Sequence, residues 1–335
     1  MEKKEYVGVI HIHTRYSDGS GSLREVIEAG KKAGVDFLII TDHDVLPPRE
    51  KEGWYEGILV LFGEEISPSR SHYLALDIEE EIKYREGSPQ EYIDEVNRQG
   101  GFGFVCHPFY RGNPLLGLRP HPWENFYLYE GFTGIEIWSF MYDWVRKLNP
   151  IKLLYYLFFP HHAPEGPSER LLWLWDELNK RRKVVAIGGT DAHGNKFFPF
   201  SIFSYSFAFR TVRTHVFSPP LEGKVGRDRE KILSSLKEGH SFIALDLLAS
   251  SRGFVFSTQE GNLPGEEVKL RERLTLKITS PREAHFRLIH NGKVREEFFA
   301  RFKEMEIGEE GFYRIEGYIG GKPWLFTNPI YVRKD

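Results

Sequence analysis

Six histidines and three carboxylates carry the chemistry legible in this chain. His11-Ile12-His13, Thr41-Asp42-His43-Asp44, Cys106-His107-Pro108 and Gly189-Thr190-Asp191-Ala192-His193 each terminate an apolar run. Alternate residues of an extended strand share a face, so His11 and His13, ending the run Tyr6 to Ile12, can address one ion. The runs Phe37 to Ile40, Phe102 to Val105 and Val184 to Ile187 lead into the other three clusters, which brings four strand ends to one place. Asp18, Glu65 and His72 fall where neighbouring strand ends would add donors, giving nine candidate ligands. Imidazole and carboxylate without thiolate suit zinc, manganese or iron, and nine donors exceed the capacity of one ion, so two or three divalent cations are implied. Such ions provide hydroxide at neutral pH and clamp attacking and leaving oxygens, which points to hydrolysis.

Strands must present these residues, and the chain alternates strand-like with helix-like segments through its first two thirds, the pattern of a parallel sheet with crossover helices. The expected strands are Tyr6 to Ile12, Phe37 to Ile40, Ile58 to Phe62, His72 to Ile78, Phe102 to Val105, Gly134 to Trp138 and Val184 to Ile187. Ser22-Leu23-Arg24-Glu25 is a capping box opening a helix that ends near Gly34. Pro89 to Gln99, Ser168 to Arg182 and Arg229 to Glu238 also read as helices. After Gly239 the pattern changes to short alternating segments: Leu274 to Ile278, His285 to His290, Gly311 to Ile319 and Trp324 to Val332, with Asn291-Gly292 as a hairpin turn. The aromatic stretch Met141 to Pro167 is long for a connection and is either a helical excursion or a lid.

In their order and spacing, His-x-His, Thr-Asp-His, Cys-His-Pro and Thr-Asp-Ala-His resemble the PHP (polymerase and histidinol phosphatase) superfamily of metal-dependent hydrolases over about residues 5 to 245. The downstream region, ending Phe326-Thr327-Asn328-Pro329-Ile330-Tyr331-Val332, is similar to the C-terminal module of its CehA/McbA-like branch. The resemblance implies an α/β fold, a distorted (β/α)7 TIM-like barrel over 1–245 with an insert at about 141–167, and a β-sandwich over 246–335. It places His11, His13, Glu65 and Asp191 about a first metal and lets Glu65 bridge to a second held with His72 and His107. Asp18, His43 and His193 would hold a third. Catalysis is then expected from His11, His13, Glu65, His107, Asp191 and His193, with metal-bridged hydroxide attacking a small-molecule phosphate ester. Two other functions are compatible with the sequence: hydrolysis of a carbamate or carboxylic ester, and a metal-stabilised binding module that uses the C-terminal β region.

Some adjacent residues allow two readings. Glu64 neighbours Glu65, but the Gly-x-Glu pattern and alternation from Gly63 favour Glu65. Asp42 and Asp44 either orient His43 or cap the next helix. Cys106 should pack in the core on the opposite face from His107. His161 and His162 read as surface residues, with pocket lining as the alternative. Arg210, Arg213 and His215 are candidate substrate contacts, since arginine suits bidentate oxyanion recognition. The stretch Phe197 to Phe209 reads as a strand or an oligomer contact, and an aromatic surface of this kind is compatible with a dimer.

The 335 residues include 45 basic and 48 acidic side chains, a net charge of -3, and no long basic run, so nothing in the charge indicates nucleic acid. The lone Cys106 cannot form an internal disulfide, the charged N-terminus lacks a signal-peptide core, and no apolar stretch approaches the roughly 20 residues of a membrane span. A soluble cytoplasmic protein without nucleotide cofactors is the expectation.

Overall fold

Seven apolar runs form the strands on which the donor-bearing loops are mounted. The computed structural model describes residues 3–84, 87–146, 148–194 and 203–334. In chain order the strands of the first part are β1 (Lys4–Ile10), β2 (Phe37–His43), a short β3 (Gly53–Tyr55), β4 (Ile58–Ile66), β5 (Tyr73–Leu76), β6 (Phe102–Val105), β7 (Gly134–Ser139), β8 (Val185–Gly189), β9 (Val212–Ser218) and β10 (Ser241–Leu245). The helices are α1 (Leu23–Ala33), α2 (Pro89–Arg98), α3 (Phe140–Val145), α4 (Pro150–Phe158), α5 (Glu169–Asn179), α6 (Tyr205–Ala208) and α7 (Val225–Lys237). Helix α1 carries the expected cap: Glu25 N–H donates to Ser22 Oγ at 3.3 Å, Ser22 N–H donates to Glu25 Oε2 at 2.7 Å, and Gly34 closes the helix at φ 70°. None of the helices among the described residues is long and apolar enough to cross a membrane.

The sheet is mixed rather than wholly parallel. β1, β2 and β4 pair in parallel, as do β6, β7 and β8, but β5 runs antiparallel to both β4 and β6. Only a short connection, Ser67–His72, separates β4 from β5, too short for the crossover a parallel neighbour needs. Beyond Ile10 the chain bonds to the end of β8: Thr190 N–H donates to the Ile10 carbonyl at 3.0 Å, His13 N–H donates to the Ala192 carbonyl at 3.0 Å, and Ile12 bridges Ala192.

Alternation sorts the strand residues into two cores. Phe37, Ile39, Leu59, Leu61, Leu74, Phe102, Phe104 and Ile187 meet inside the sheet, where α7 adds Ile232, Leu233 and Leu236. Leu38, Ile40, Val60, Phe62 and Val105 face outward onto Val26 and Ile27 of α1 and Tyr92, Ile93 and Val96 of α2. The Met141 to Pro167 stretch is a helical excursion, α3 and α4 followed by a 3-10 turn over Pro160–His162.

The remaining strands are β11 (Val255–Thr258), β12 (Glu267–Lys269), β13 (Leu274–His290), β14 (Lys293–Ile307), β15 (Gly311–Ile319), β16 (Lys322–Thr327) and β17 (Ile330–Arg333). Asn291 and Gly292, at φ 49° and 81°, turn β13 into β14 with His290 opposite Lys293. Two expected strands, Leu274 to Ile278 and His285 to His290, are one strand with a bulge, and Trp324 to Val332 divides into β16 and β17 at Asn328-Pro329. β10 pairs antiparallel with β16, so the first part continues into this β region through hydrogen bonds. The Asn328 amide strengthens the junction, accepting from Ala186 N–H at 2.7 Å and donating to Ser241 Oγ at 2.9 Å. Arg314 adds a buried bidentate pair with Asp176 of α5 at 2.8 and 2.7 Å.

Arg210, Arg213 and His215, expected near substrate, lie instead at the end of the sheet where β1 begins. His215 is paired in register with Val7, and the Arg210 and Arg213 guanidinium groups donate to the carbonyls of Lys32 and Ala33 at the C-terminus of α1. The fully buried His215 ring stands 2.6 Å from Glu5 Oε1 and 3.2 Å from Asp246 Oδ2. Burial opposes its charge, but Asp246 and then Glu5 outweigh burial and raise its pKa. Stabilisation from the charged ring is complete below the ordinary histidine value of 6.5 and is lost as pH rises through the higher folded value. His215→Gln should therefore destabilise the protein most below pH 6.5, with the deficit shrinking in alkali. Denaturant titrations on both sides of that range check this; a deficit independent of pH would remove the charge from the account.

Candidate metal centre

Glu65 sits at the middle of the donor set, on the inward face of β4 with Leu59, Leu61 and Gly63, where alternation puts it. Glu64 faces the other way: its Oε2 accepts from Ile82 N–H at 3.0 Å, and burial pushes its carboxyl up to about 8. His43 shares Glu65's inward face, in register beside it on β2. His72 immediately precedes β5, and because that strand is reversed its beginning lies beside the ends of β4 and β6.

Three donors reach the cluster through left-handed backbone rather than through strand alternation. His11, His107 and Asp191 have φ of 65°, 25° and 50°, conformations that cost a non-glycine residue about 1–3 kcal/mol each. β1 therefore ends at Ile10, and the kink at His11 brings both His11 and His13 inward. The kink at His107 also revises Cys106: the thiol packs in the inner core as expected, but it lies beside the histidine rather than on an opposite face.

Glu65 Oε2 is 3.2 Å from His11 Nε2, 3.3 Å from His13 Nε2 and 3.0 Å from His43 Nδ1, while Oε1 is 3.0 Å from His72 Nδ1 and 3.3 Å from His107 Nε2. Asp191 Oδ1 lies 3.2 Å from His13 Nε2. Asp18 Oδ1 is 3.3 Å from His193 Nε2 and 3.8 Å from His43 Nε2. Donor atoms gather within 4.8 Å in several overlapping groups, among them His11, His13, Glu65 and Asp191; His13, Asp18, His43 and His193; and His43, Glu65 and His72.

The buried His11 Nε2, both His13 nitrogens, His107 Nδ1 and Glu65 Oε2 have no hydrogen-bond partner. Unpaired polar atoms this deep are costly unless a cation satisfies them, so the donor set fits divalent metal ions. Burial works against the Glu65 charge, yet His11, His43 and His72 hold the carboxyl well below its usual range. Asp191 is held low in the same way by His11 and His13, while burial and the neighbouring His193 and His43 press His13 down to about 3. His13 is thus neutral near pH 7, the form that binds metal.

No protein-family model matches this chain. The uncharacterized protein MJ1587 of Methanocaldococcus jannaschii is 30% identical over 127 residues, an alignment spanning 33% of this chain and 72% of the archaeal one. The chain belongs to the MJ1587 family. Among solved structures, a two-domain protein from Bacteroides vulgatus containing a predicted PHP-like metal-dependent phosphoesterase has a TM-score of 0.48 at 16% identity, covering 98% of this chain and 96% of that one. A Bifidobacterium adolescentis protein, whose name proposes a metal-dependent phosphoesterase, has a TM-score of 0.35 at 19% identity, covering 58% and 89%. Neither score reaches 0.5, so the donor geometry carries the functional reading.

This member of the MJ1587 family surrounds its donors with positioning residues, of which Glu136 and Tyr205 were not singled out by the sequence. Glu136 of β7 accepts from His11 Nδ1 at 2.9 Å and from His107 N–H at 3.0 Å, turning His11 Nε2 toward Glu65 and Asp191. A Cβ at Gly189 would stand 2.0 Å from Glu136 Oε1, which explains glycine there. Asp42 neither orients His43 nor caps a helix: it accepts from Thr14 N–H, Thr14 Oγ1, Ser17 N–H and Ser17 Oγ and so pins the loop carrying Asp18. Asp44 accepts from Ser67 N–H. The Tyr205 hydroxyl lies 2.7 Å from the His13 carbonyl and 3.0 Å from that of His193, tying two donor loops together.

His121 is a further candidate donor, lying in irregular chain where no periodicity marks it. Its ring stacks on His72 at 4.1 Å and 4° and on Tyr110 at 4.3 Å, and its nitrogen groups with those of His72 and His107. Burial, then His107 and His72, lower its pKa. His161 and His162 are instead on the 3-10 turn beyond α4, with His162 Nδ1 against Tyr155 OH at 2.6 Å. Of the Phe197 to Phe209 stretch, residues 197–202 lie outside the described residues and 205–208 form α6 rather than a strand.

Glu136→Gln preserves shape but weakens the acceptor behind His11. Cation affinity should fall about 10–100-fold, read by competition with a chelating indicator and by elemental analysis. Wild-type affinity in this variant would strip Glu136 of its positioning role.

Proposed function

We propose that this chain is a metal-dependent phosphoesterase with its site at one end of a distorted seven-stranded barrel. The observation that carries the reading is Glu65, a fully buried carboxylate within 3.3 Å of five imidazoles whose nitrogens include several unpaired ones. The bonds from β8 back to Ile10 and His13 support a barrel, and the strand-rich region from Val255 onward supports a sandwich-like module over 246–335 joined to a 1–245 hydrolase part. His11, His13, Glu65 and Asp191 would hold one cation, Glu65, His72 and His107 a second, and Asp18, His43 and His193 a third, with zinc, manganese and iron as candidates. Bound there, divalent cations supply Lewis acidity toward phosphoryl oxygens and lower the pKa of a coordinated water.

The protein's own part is to orient and to exclude water. Glu136 fixes the His11 tautomer, Asp42 and Tyr205 hold the loops bearing Asp18 and His193, and His11, His13, Glu65, His72 and His107 are buried. His121, on the cleft wall beside His72 and His107, stands within the same small space as any ester group seated over Glu65. A second reading, carbamate or carboxylic ester hydrolysis, is favoured by one feature: among the described residues lining the cleft there is no lysine or arginine, which an uncharged acyl substrate does not require.

Chelation should abolish release of p-nitrophenol from its phosphate mono- and diesters, and restored metal should recover it. Glu65→Gln should lower that rate at least about a hundredfold with circular dichroism unchanged. Full turnover in the variant would sink the assignment, and turnover of aryl carbamates with none of phosphate esters would select the second reading.

A further inference from the structure

Above the donors opens a cleft of about 460 Å³, within the range of small-molecule pockets. Its two sides differ in chemistry. The floor is the histidine and carboxylate set, flanked by Tyr110 and His121, and the facing wall is Leu116, Leu118, Met141, Val145, Leu153 and Phe203. The α3 and α4 excursion supplies three of these, Met141, Val145 and Leu153, and Phe203 packs edge-on against the buried Trp144 of α3 at 4.7 Å. Tyr110 and His121 stand beside the donors, and beyond them the described lining residues of the wall offer no polar side chain.

A nucleoside or sugar presents hydroxyls and ring heteroatoms along its length, and this wall would strip them of water without replacing the hydrogen bonds. An apolar group gains from the same desolvation. Resting on the phosphoesterase reading, we propose that the substrate is a phosphate ester of an apolar alcohol, aryl or alkyl, with the phosphoryl group over the donor floor and the alcohol portion against the leucine and methionine wall. A water oxygen forms the new bond to phosphorus as the bond to the alcohol oxygen breaks. One water proton ends on that departing oxygen and the other stays with the phosphate, so the products are the apolar alcohol and inorganic phosphate.

The test uses the full chain loaded with metal. 1-Naphthyl phosphate and octyl phosphate, the aryl and alkyl arms, are compared with AMP and glucose 6-phosphate, and kcat/KM should be about tenfold or more higher for at least one apolar ester. Leu153→Asn and Met141→Gln should raise KM for the preferred ester about tenfold while metal content stays at the wild-type value. Calorimetry with naphthylphosphonate against methylphosphonate reads the same wall without turnover, and the naphthyl compound should bind more tightly only when Leu153 is present. Equal or better cleavage of AMP or glucose 6-phosphate, or unchanged KM in both variants, overturns the substrate class and leaves the phosphoesterase reading standing. Failure to cleave any phosphate ester overturns that reading itself.

Discussion

A carboxylate with no solvent exposure, ringed by five imidazoles, is the constraint around which the rest of this structure is arranged. Burying one charge is expensive, and Glu65 is accompanied by Asp191 and by nitrogens that find no hydrogen-bond partner. Protonated histidines could neutralise the carboxylates in part, but His13 is held near 3 by burial and its histidine neighbours and cannot contribute. Divalent cations would satisfy both needs at once, taking lone pairs from neutral imidazoles and balancing the carboxylates. Their binding would then contribute to folding, because the donors converge only when the strands have paired.

Convergence required departures from regular strand geometry. A strictly parallel sheet would have sent His72 to the end opposite Glu65; reversal of β5 puts it beside the others. Regular alternation would have turned His107 away from Cys106, and a left-handed residue brings both to the inner side. Part of the strain falls on donors: among the described non-glycine residues with positive φ, His11, His107 and Asp191 belong to the cluster. Glu136 shows how such strain is held, since one carboxylate binds both the His11 ring and the His107 amide.

Much of this was legible in the chain because residue type and spacing constrain metal donors strongly. The choice of Glu65 over Glu64 followed from the Gly-x-Glu pattern of the resemblance together with period-two alternation, and the capping box and the Asn291-Gly292 turn followed from local chemistry. What escaped had no local signature. Glu136 is the only charged residue within Gly134–Ser139, a usable hint, whereas His121 reaches the cleft by tertiary packing alone. β14 was missed because eight of its fifteen residues are charged; among the described residues it pairs only with β13, and a charged edge resists further strand addition. Arg210, Arg213 and His215 follow the last donor in sequence, but Arg210 precedes β9, and Arg213 and His215 belong to that strand, which returns along β1 toward its beginning.

The join between β1 and β8 links fold and site more closely than either does alone. Thr190 N–H bonds to the Ile10 carbonyl and His13 N–H to the Ala192 carbonyl, so the backbone bonds that connect the two strand ends alternate with the side chains of His11, His13 and Asp191. A cation shared by those three would cross-link the same two ends through side chains, and loss of the backbone join would separate the donors. The apolar wall is attached to this arrangement at one remove, since α3 begins directly after β7, the strand carrying Glu136. Met141 N–H donates to the Thr190 carbonyl at 3.3 Å, one residue before Asp191. One backbone bond thus ties the start of the wall's helical excursion to the strand end that carries Asp191.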